Sequence, residues 1–162
     1  MKKVGIIMGS ASDLPVAEKA VNTLKAFGVP YEVHVYSAHR TPGESARFAR
    51  EAEPNGFGVL IAFAGMAAHL AGAIAAQTTL PVIGVPCQSG VLNGIDALLS
   101  TVQMPSGIPV ATVAINGGVN AALLSVQILA LTDADLSEKL KAKKIADTAA
   151  VLEKDAEITE KL

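Results

Sequence analysis

The chain has no tryptophan, one cysteine, four phenylalanines and two tyrosines in 162 residues. It is also poor in charge: 17% of its residues are Asp, Glu, Lys or Arg, against about 25% in an ordinary domain. Each shortage excludes something. With a single cysteine, Cys87, no disulfide can form within the chain and no cysteine-based zinc site can be built. Cys87 ends the apolar run 81–87 and is expected to be a buried small side chain rather than a reactive thiol. A net charge of −2, no basic tract and no tryptophan argue against nucleic acid as a partner. The late lysines Lys139, Lys141, Lys143 and Lys144 alternate with Glu138, Asp147 and Glu153, as on a solvated helix face.

What is present is apolar: 51% of the chain. Between Glu53 and Asp133 the only formally charged residue is Asp96. Such a chain cannot be disordered. A lone domain of this size also has too little interior for so many apolar side chains, so homo-oligomerisation is expected. Residues 57–76 carry no formal charge and are long enough to cross a membrane. However, Gly58, Gly65, Gly72 and His69 interrupt them, and no Lys or Arg stands close to either end. A strand, a turn and a helix are expected there instead of a span. The N-terminal apolar segment is too short for a secretion signal, so a cytoplasmic protein is expected.

Apolar periodicity divides the chain into alternating strands and helices. Strands are expected at 3–8, 31–36, 57–63, 81–85 and 109–115. Helices are expected at 13–27, from Thr41 to about 53, at 67–77, from an Asn93 cap to about 102, at 120–131 and from 136 to about 161. Ser12 and Gly28 suit the two ends of the first helix. Thr41-Pro42-Gly43-Glu44 has the form of a capping box with proline at the first helical position. The pattern predicts an α/β fold: a three-layer α/β/α doubly wound sandwich with a central five-stranded parallel sheet and an extra C-terminal helix. Residues 1–162 are expected to form one domain, with a core over about 3–132 and a helical tail over about 133–162.

In such folds ligands bind beyond the carboxyl ends of the strands, which directs attention to five loops. The first, Met8-Gly9-Ser10-Ala11-Ser12-Asp13, offers close backbone approach and free N–H groups to an anion. It lacks the glycine patterns of dinucleotide and ATP sites. The second, Ser37-Ala38-His39-Arg40-Thr41-Pro42, sets a proton-transfer group beside a cation that can clamp phosphate or carboxylate. The third, Ala64-Gly65-Met66-Ala67-Ala68-His69-Leu70, places a second histidine at the same edge. His34 lies mid-strand and is expected to be structural. Three histidines without carboxylates at ligand spacing predict no metal site. A Ser10–His39–Asp13 hydrolase triad is a competing reading, and the Gly-x-Ser-x-Gly elbow of such enzymes is absent. A non-enzymatic nucleotide-binding module is another. A signalling receiver would need an acidic cluster, and only Asp13 is acidic in the five loops.

Taken in order, these loops, with Pro81-Val82-Ile83-Gly84-Val85-Pro86, Val102-Gln103-Met104-Pro105 and Asn120-Ala121-Ala122-Leu123-Leu124, resemble the 5-(carboxyamino)imidazole ribonucleotide mutase family. This is the bacterial-type, class I phosphoribosylaminoimidazole carboxylase catalytic subunit family of purine biosynthesis, and its fold is flavodoxin-like. The resemblance implies a reaction without metal or organic cofactor, in which a carboxylate moves from the exocyclic amine of an imidazole ribonucleotide to ring carbon 4 by way of carbon dioxide. It implies that His39 is the general acid/base and that Ser10 and Asp13 hold the ribose-phosphate end with Gly9 and Ser12. Arg40 would clamp the phosphate. His69 would stand with Ala67, Ala68 and Leu70 as the wall around carbon dioxide, and Ser37, Ala38 and Gly65 belong to the same substrate-binding set. A homo-octamer is implied too. The sister family, the direct aminoimidazole ribonucleotide carboxylase, typically has Lys where this chain has Arg40. The family usually reads Gly-Gly-Ala-Ala-His-Leu-Pro-Gly around the third loop, and this chain departs from it at Met66 and Ala71.

Overall fold

Near-continuous apolar runs make the three central strands, and five helices cover the sheet. The computed structural model describes residues Met1–Leu162. The strands are β1 (Lys3–Met8), β2 (Tyr31–Val35), β3 (Phe57–Gly65), β4 (Val82–Cys87) and β5 (Ala111–Thr112). The helices are α1 (Leu14–Phe27), α2 (Pro42–Glu51), α3 (Leu70–Ala75), α4 (Ile95–Val102), α5 (Gly118–Ala130) and α6 (Ala134–Thr159). All strand pairs are parallel, in the order β2-β1-β3-β4-β5. The chain therefore runs outward from β1 to β2, then returns across β1 to β3. That reversal opens a crevice at the carboxyl ends of β1 and β3.

Side chains alternate across the sheet and so divide its core in two. Val4, Ile6, Met8, Val59, Ile61, Phe63, Ile83 and Val85 point to one face, where they pack with Ala17, Ala20 and Leu24 of α1 and Ala121, Ala122 and Val126 of α5. Ile7, Leu60, Ala62 and Val82 point to the other, against Ala49 of α2 and Leu70, Ala71 and Ile74 of α3. Gly28 ends α1 in the left-handed conformation (φ 72°), donating its N–H to the Lys25 carbonyl, as its position after an apolar helix predicts. His34 stacks on Tyr36, with centroids 4.9 Å apart, and meets Phe48 at 5.0 Å, which suits its structural reading.

Four local expectations change. The third helix begins at Leu70, not residue 67, because Met66–His69 form a turn. β5 shrinks from seven expected residues to two, since only Ala111 and Thr112 keep register with Ile83 and Gly84. Thr41 stands at the N-cap of α2, but its hydroxyl makes no cap bond: Oγ1 accepts from Ser37 N–H (2.8 Å) and donates to the Ser37 carbonyl (3.2 Å), bracing the preceding loop. Gly94 rather than Asn93 sits at the start of α4, and both are left-handed.

No helix is long and apolar enough to cross a membrane. Apolar side chains nevertheless remain outside. On α4, Ile95, Leu99 and Val102 are exposed, with Val91 and Leu92 just before them. Of the 26 residues of α6 only Leu136 is buried, while Ile145, Val151, Leu152 and Ile158 face solvent.

Candidate active site

Three loops meet over the β1–β3 crevice. After β1 the chain makes a 3-10 turn at Ala11–Asp13. Ser10 opens it: its Oγ accepts from Ser12 N–H (3.3 Å), and Asp13 Oδ2 accepts from Ser10 N–H (3.2 Å). The reciprocal pair is a capping box on the 3-10 turn, two residues earlier than the Ser12 cap the sequence predicts. Ser12 Oγ donates instead to Ser10 Oγ at 2.9 Å.

After β2 a tight loop folds around Ser37, whose Oγ accepts from His39 N–H (3.3 Å) and Arg40 N–H (3.1 Å). Both functional side chains line the cavity, Arg40 against the first loop and His39 against the third. Arg40 Nη2 donates to the Gly9 carbonyl at 2.9 Å, tying the loops together. The remaining guanidinium N–H groups are available to an anion.

After β3 comes the turn at Met66–His69, held by Ala68 N–H to Met66 O and His69 N–H to Ala67 O, both 2.8 Å. It delivers His69 to His39: Nε2 of His39 and Nδ1 of His69 are 3.0 Å apart, and the rings meet edge to face at 5.1 Å. One proton lies between the two nitrogens of such a bond.

The loops enclose a cavity of about 550 Å³, within the usual range for small-molecule sites. Every residue that the sequence nominates lines it (Gly9, Ser10, Ser12, Asp13, Ser37, Ala38, His39, Arg40, Gly65, Ala67, His69, Leu70) except Ala68. Ala68 is buried beneath the turn. Ala64, Met66 and Ser89 line the cavity without having been nominated. Ser89 follows β4, one of the strands whose carboxyl end the sheet-edge rule marks. Its Oγ lies 2.5 Å from where a Cβ on Gly65 would stand, so Gly65 is required by close packing. A Cβ on Gly9 would meet nothing nearer than 3.6 Å within the protein.

Asp13 is buried, and desolvation pushes its carboxyl above the usual carboxylate range, opposed by the Ser10 N–H bond and by Cys87. Cys87 lies beneath it. Burial first, and then the Asp13 charge, push its thiol up to about 12. The thiol therefore stays protonated at neutral pH, as its reading as a buried side chain requires. No three His, Cys, Asp or Glu side chains cluster closely enough to hold a metal ion.

Together the fold and the cavity define a class: a doubly wound, flavodoxin-like α/β protein with an imidazole pair and a guanidinium at the carboxyl edge of its sheet. Within that class the chain belongs to the AIR carboxylase family, whose sequence model matches residues 3–150. It is 59% identical over 138 residues to the N5-carboxyaminoimidazole ribonucleotide mutase of Pyrococcus horikoshii, covering 85% of this chain and 78% of that protein. It is 55% identical over 138 residues to the phosphoribosylaminoimidazole carboxylase of Saccharomyces cerevisiae, covering 85% of this chain but 24% of that longer protein. The crystal structure of Treponema denticola PurE superposes with a TM-score of 0.87 at 32% sequence identity, over 95% of this chain and 96% of that one.

Proposed function

We propose that this protein converts 5-(carboxyamino)imidazole ribonucleotide to 4-carboxy-5-aminoimidazole ribonucleotide in purine biosynthesis. Membership of the AIR carboxylase family and the high identity to mutases support the substrate and the reaction. The observation that carries the mechanism is the His39–His69 pair on the cavity wall, beside the Arg40 guanidinium.

Arg40, Ser10 and Ser12 take the phosphate, with Gly9 and Asp13 shaping that end. Ser37, Ala38 and Gly65 line the path to the base, and Ala67, Leu70 and His69 wall the reacting carbons. Ala68 acts from beneath, by filling the turn. As the carbamate C–N bond breaks, its electron pair goes to the exocyclic nitrogen, His39 supplies the proton there, and carbon dioxide is freed. Ring carbon 4 then attacks carbon dioxide, a C–C bond forms, and His39 takes the proton from carbon 4. Protons balance over the cycle, so one imidazole suffices. The hydrogen bond between His69 and His39 fixes the His39 ring between the two positions. The reaction asks the protein for no cofactor.

The exposed apolar faces of α4 and α6 support a homo-oligomer, read here as an octamer, that works in the cytoplasm as a single-domain subunit. A direct carboxylase that uses carbon dioxide and aminoimidazole ribonucleotide is the second reading, favoured by the identity to the yeast protein. His39→Asn tests the mechanism. Turnover is expected to fall about 10²- to 10⁴-fold while the ribonucleotide still binds. Unchanged turnover would refute the role of His39.

A further inference from the structure

Three side-chain-bearing residues adopt positive φ: Asn93, Asn116 and Met66 (φ 55°). Asparagine tolerates the left-handed region, whereas methionine gains nothing from it. Met66 is also 63% exposed, yet it lines the cavity. The two short backbone bonds of the 66–69 turn fix its place on the cavity wall, three residues before His69. An unbranched thioether with three rotatable bonds adapts to an apolar surface laid against it. In the free protein this side chain has most of its burial still to gain.

The proposed reaction has a vulnerable moment. Between C–N cleavage and C–C formation, carbon dioxide is neutral, unattached and surrounded by small apolar groups. Excluding water and preventing escape at that moment is what a closing side chain can supply.

We infer that Met66 is the cap of the cavity, folding over the bound imidazole to keep freed carbon dioxide beside ring carbon 4. The inference rests on the carboxylate-migration reading above. It makes Met66 a positioning residue that exchanges no proton with substrate. It also accounts for a bulky residue in a conformation that suits glycine: the turn that strains Met66 is the one that aims it over the site.

The test compares wild type, Met66→Gly and Met66→Leu. The substrate carries ¹³C in its carboxylate, the buffer contains unlabelled bicarbonate, and uncatalysed decarboxylation is subtracted. Two quantities are read: label retained in the ring-carboxylated product, and aminoimidazole ribonucleotide released per turnover. Met66→Gly should release roughly ten-fold more, a change that partial loss of one side chain's burial can produce. Its melting temperature should be unchanged or raised, because glycine suits φ 55°. Its mass by light scattering should match wild type. Met66→Leu should restore most of the retention. Equal partitioning in Met66→Gly and wild type overturns the cap, as does retention lost together with the assembly. Failure of the wild type itself to form ring-carboxylated product overturns instead the reaction on which the cap depends.

Discussion

Around the cavity, Asp13, His39, Arg40 and His69 stand on a sheet edge otherwise built of alanine, glycine and serine, with Met66 and Leu70 the two larger apolar side chains. On α4, Ile95, Leu99 and Val102 each leave about half of their surface to solvent. The two regions answer different demands. At the sheet edge, polar groups are held by hydrogen bonds between loops, Arg40 to Gly9 and His39 to His69, and by one within the first loop, Ser10 N–H to Asp13. On α4 and α6, side chains that a solvated helix would make polar are apolar, so the covering must come from elsewhere. The excess of apolar residues thus has two destinations. One part fills the two faces of the sheet, and the other stays exposed on α4 and α6, where the proposed homo-oligomer would cover it.

Substitutions in each region should separate these roles. The largest effect on ligand affinity is expected from Arg40→Ala. It removes a charge-assisted contact worth about 1.5–3 kcal/mol, so the dissociation constant for the ribonucleotide should rise on the order of 10- to 100-fold, with the assembly intact. Calorimetric titration checks this, and full affinity would remove Arg40 from the phosphate site. A smaller effect on affinity, but a loss of assembly, is expected from Leu99→Glu. It sets a carboxylate in the apolar face of α4, where desolvation without a partner is costly. Light scattering should show a lower mass, while the cavity's affinity changes less than in Arg40→Ala. An unchanged mass would mean that α4 faces water in the assembled protein and that the two regions are not divided as described.

Much of this arrangement can be read from the residues alone. β1, β3 and β4 are apolar runs buried on both sides, and α1 shows its apolar stripe at helical spacing, so local pattern and burial agree. β5 escapes such reading because its length depends on what β4 offers as a partner. The start of α3 escapes it because the turn at Met66–His69 has the same small apolar residues as the helix that follows. The loops of the site follow from the rule that ligands lie beyond the carboxyl ends of strands. What joins them does not follow, because it lies between residues far apart in the chain. The His39–His69 bond spans thirty positions, the Arg40–Gly9 bond thirty-one, and the Gly65–Ser89 contact is equally tertiary. Thr41 shows the same limit on a small scale. Its sequence context fits a helix cap, and the folded loop uses its hydroxyl for Ser37.

The central claim is that the three-loop cavity moves a carboxylate from the exocyclic amine to ring carbon 4. The most direct measurement is the rate at which wild type forms 4-carboxy-5-aminoimidazole ribonucleotide from each of two starting points. One is the carboxyamino ribonucleotide, and the other is aminoimidazole ribonucleotide with carbon dioxide at matched concentration. Faster product from the carboxyamino form is the predicted result. Faster product from carbon dioxide, or none from either, would contradict it.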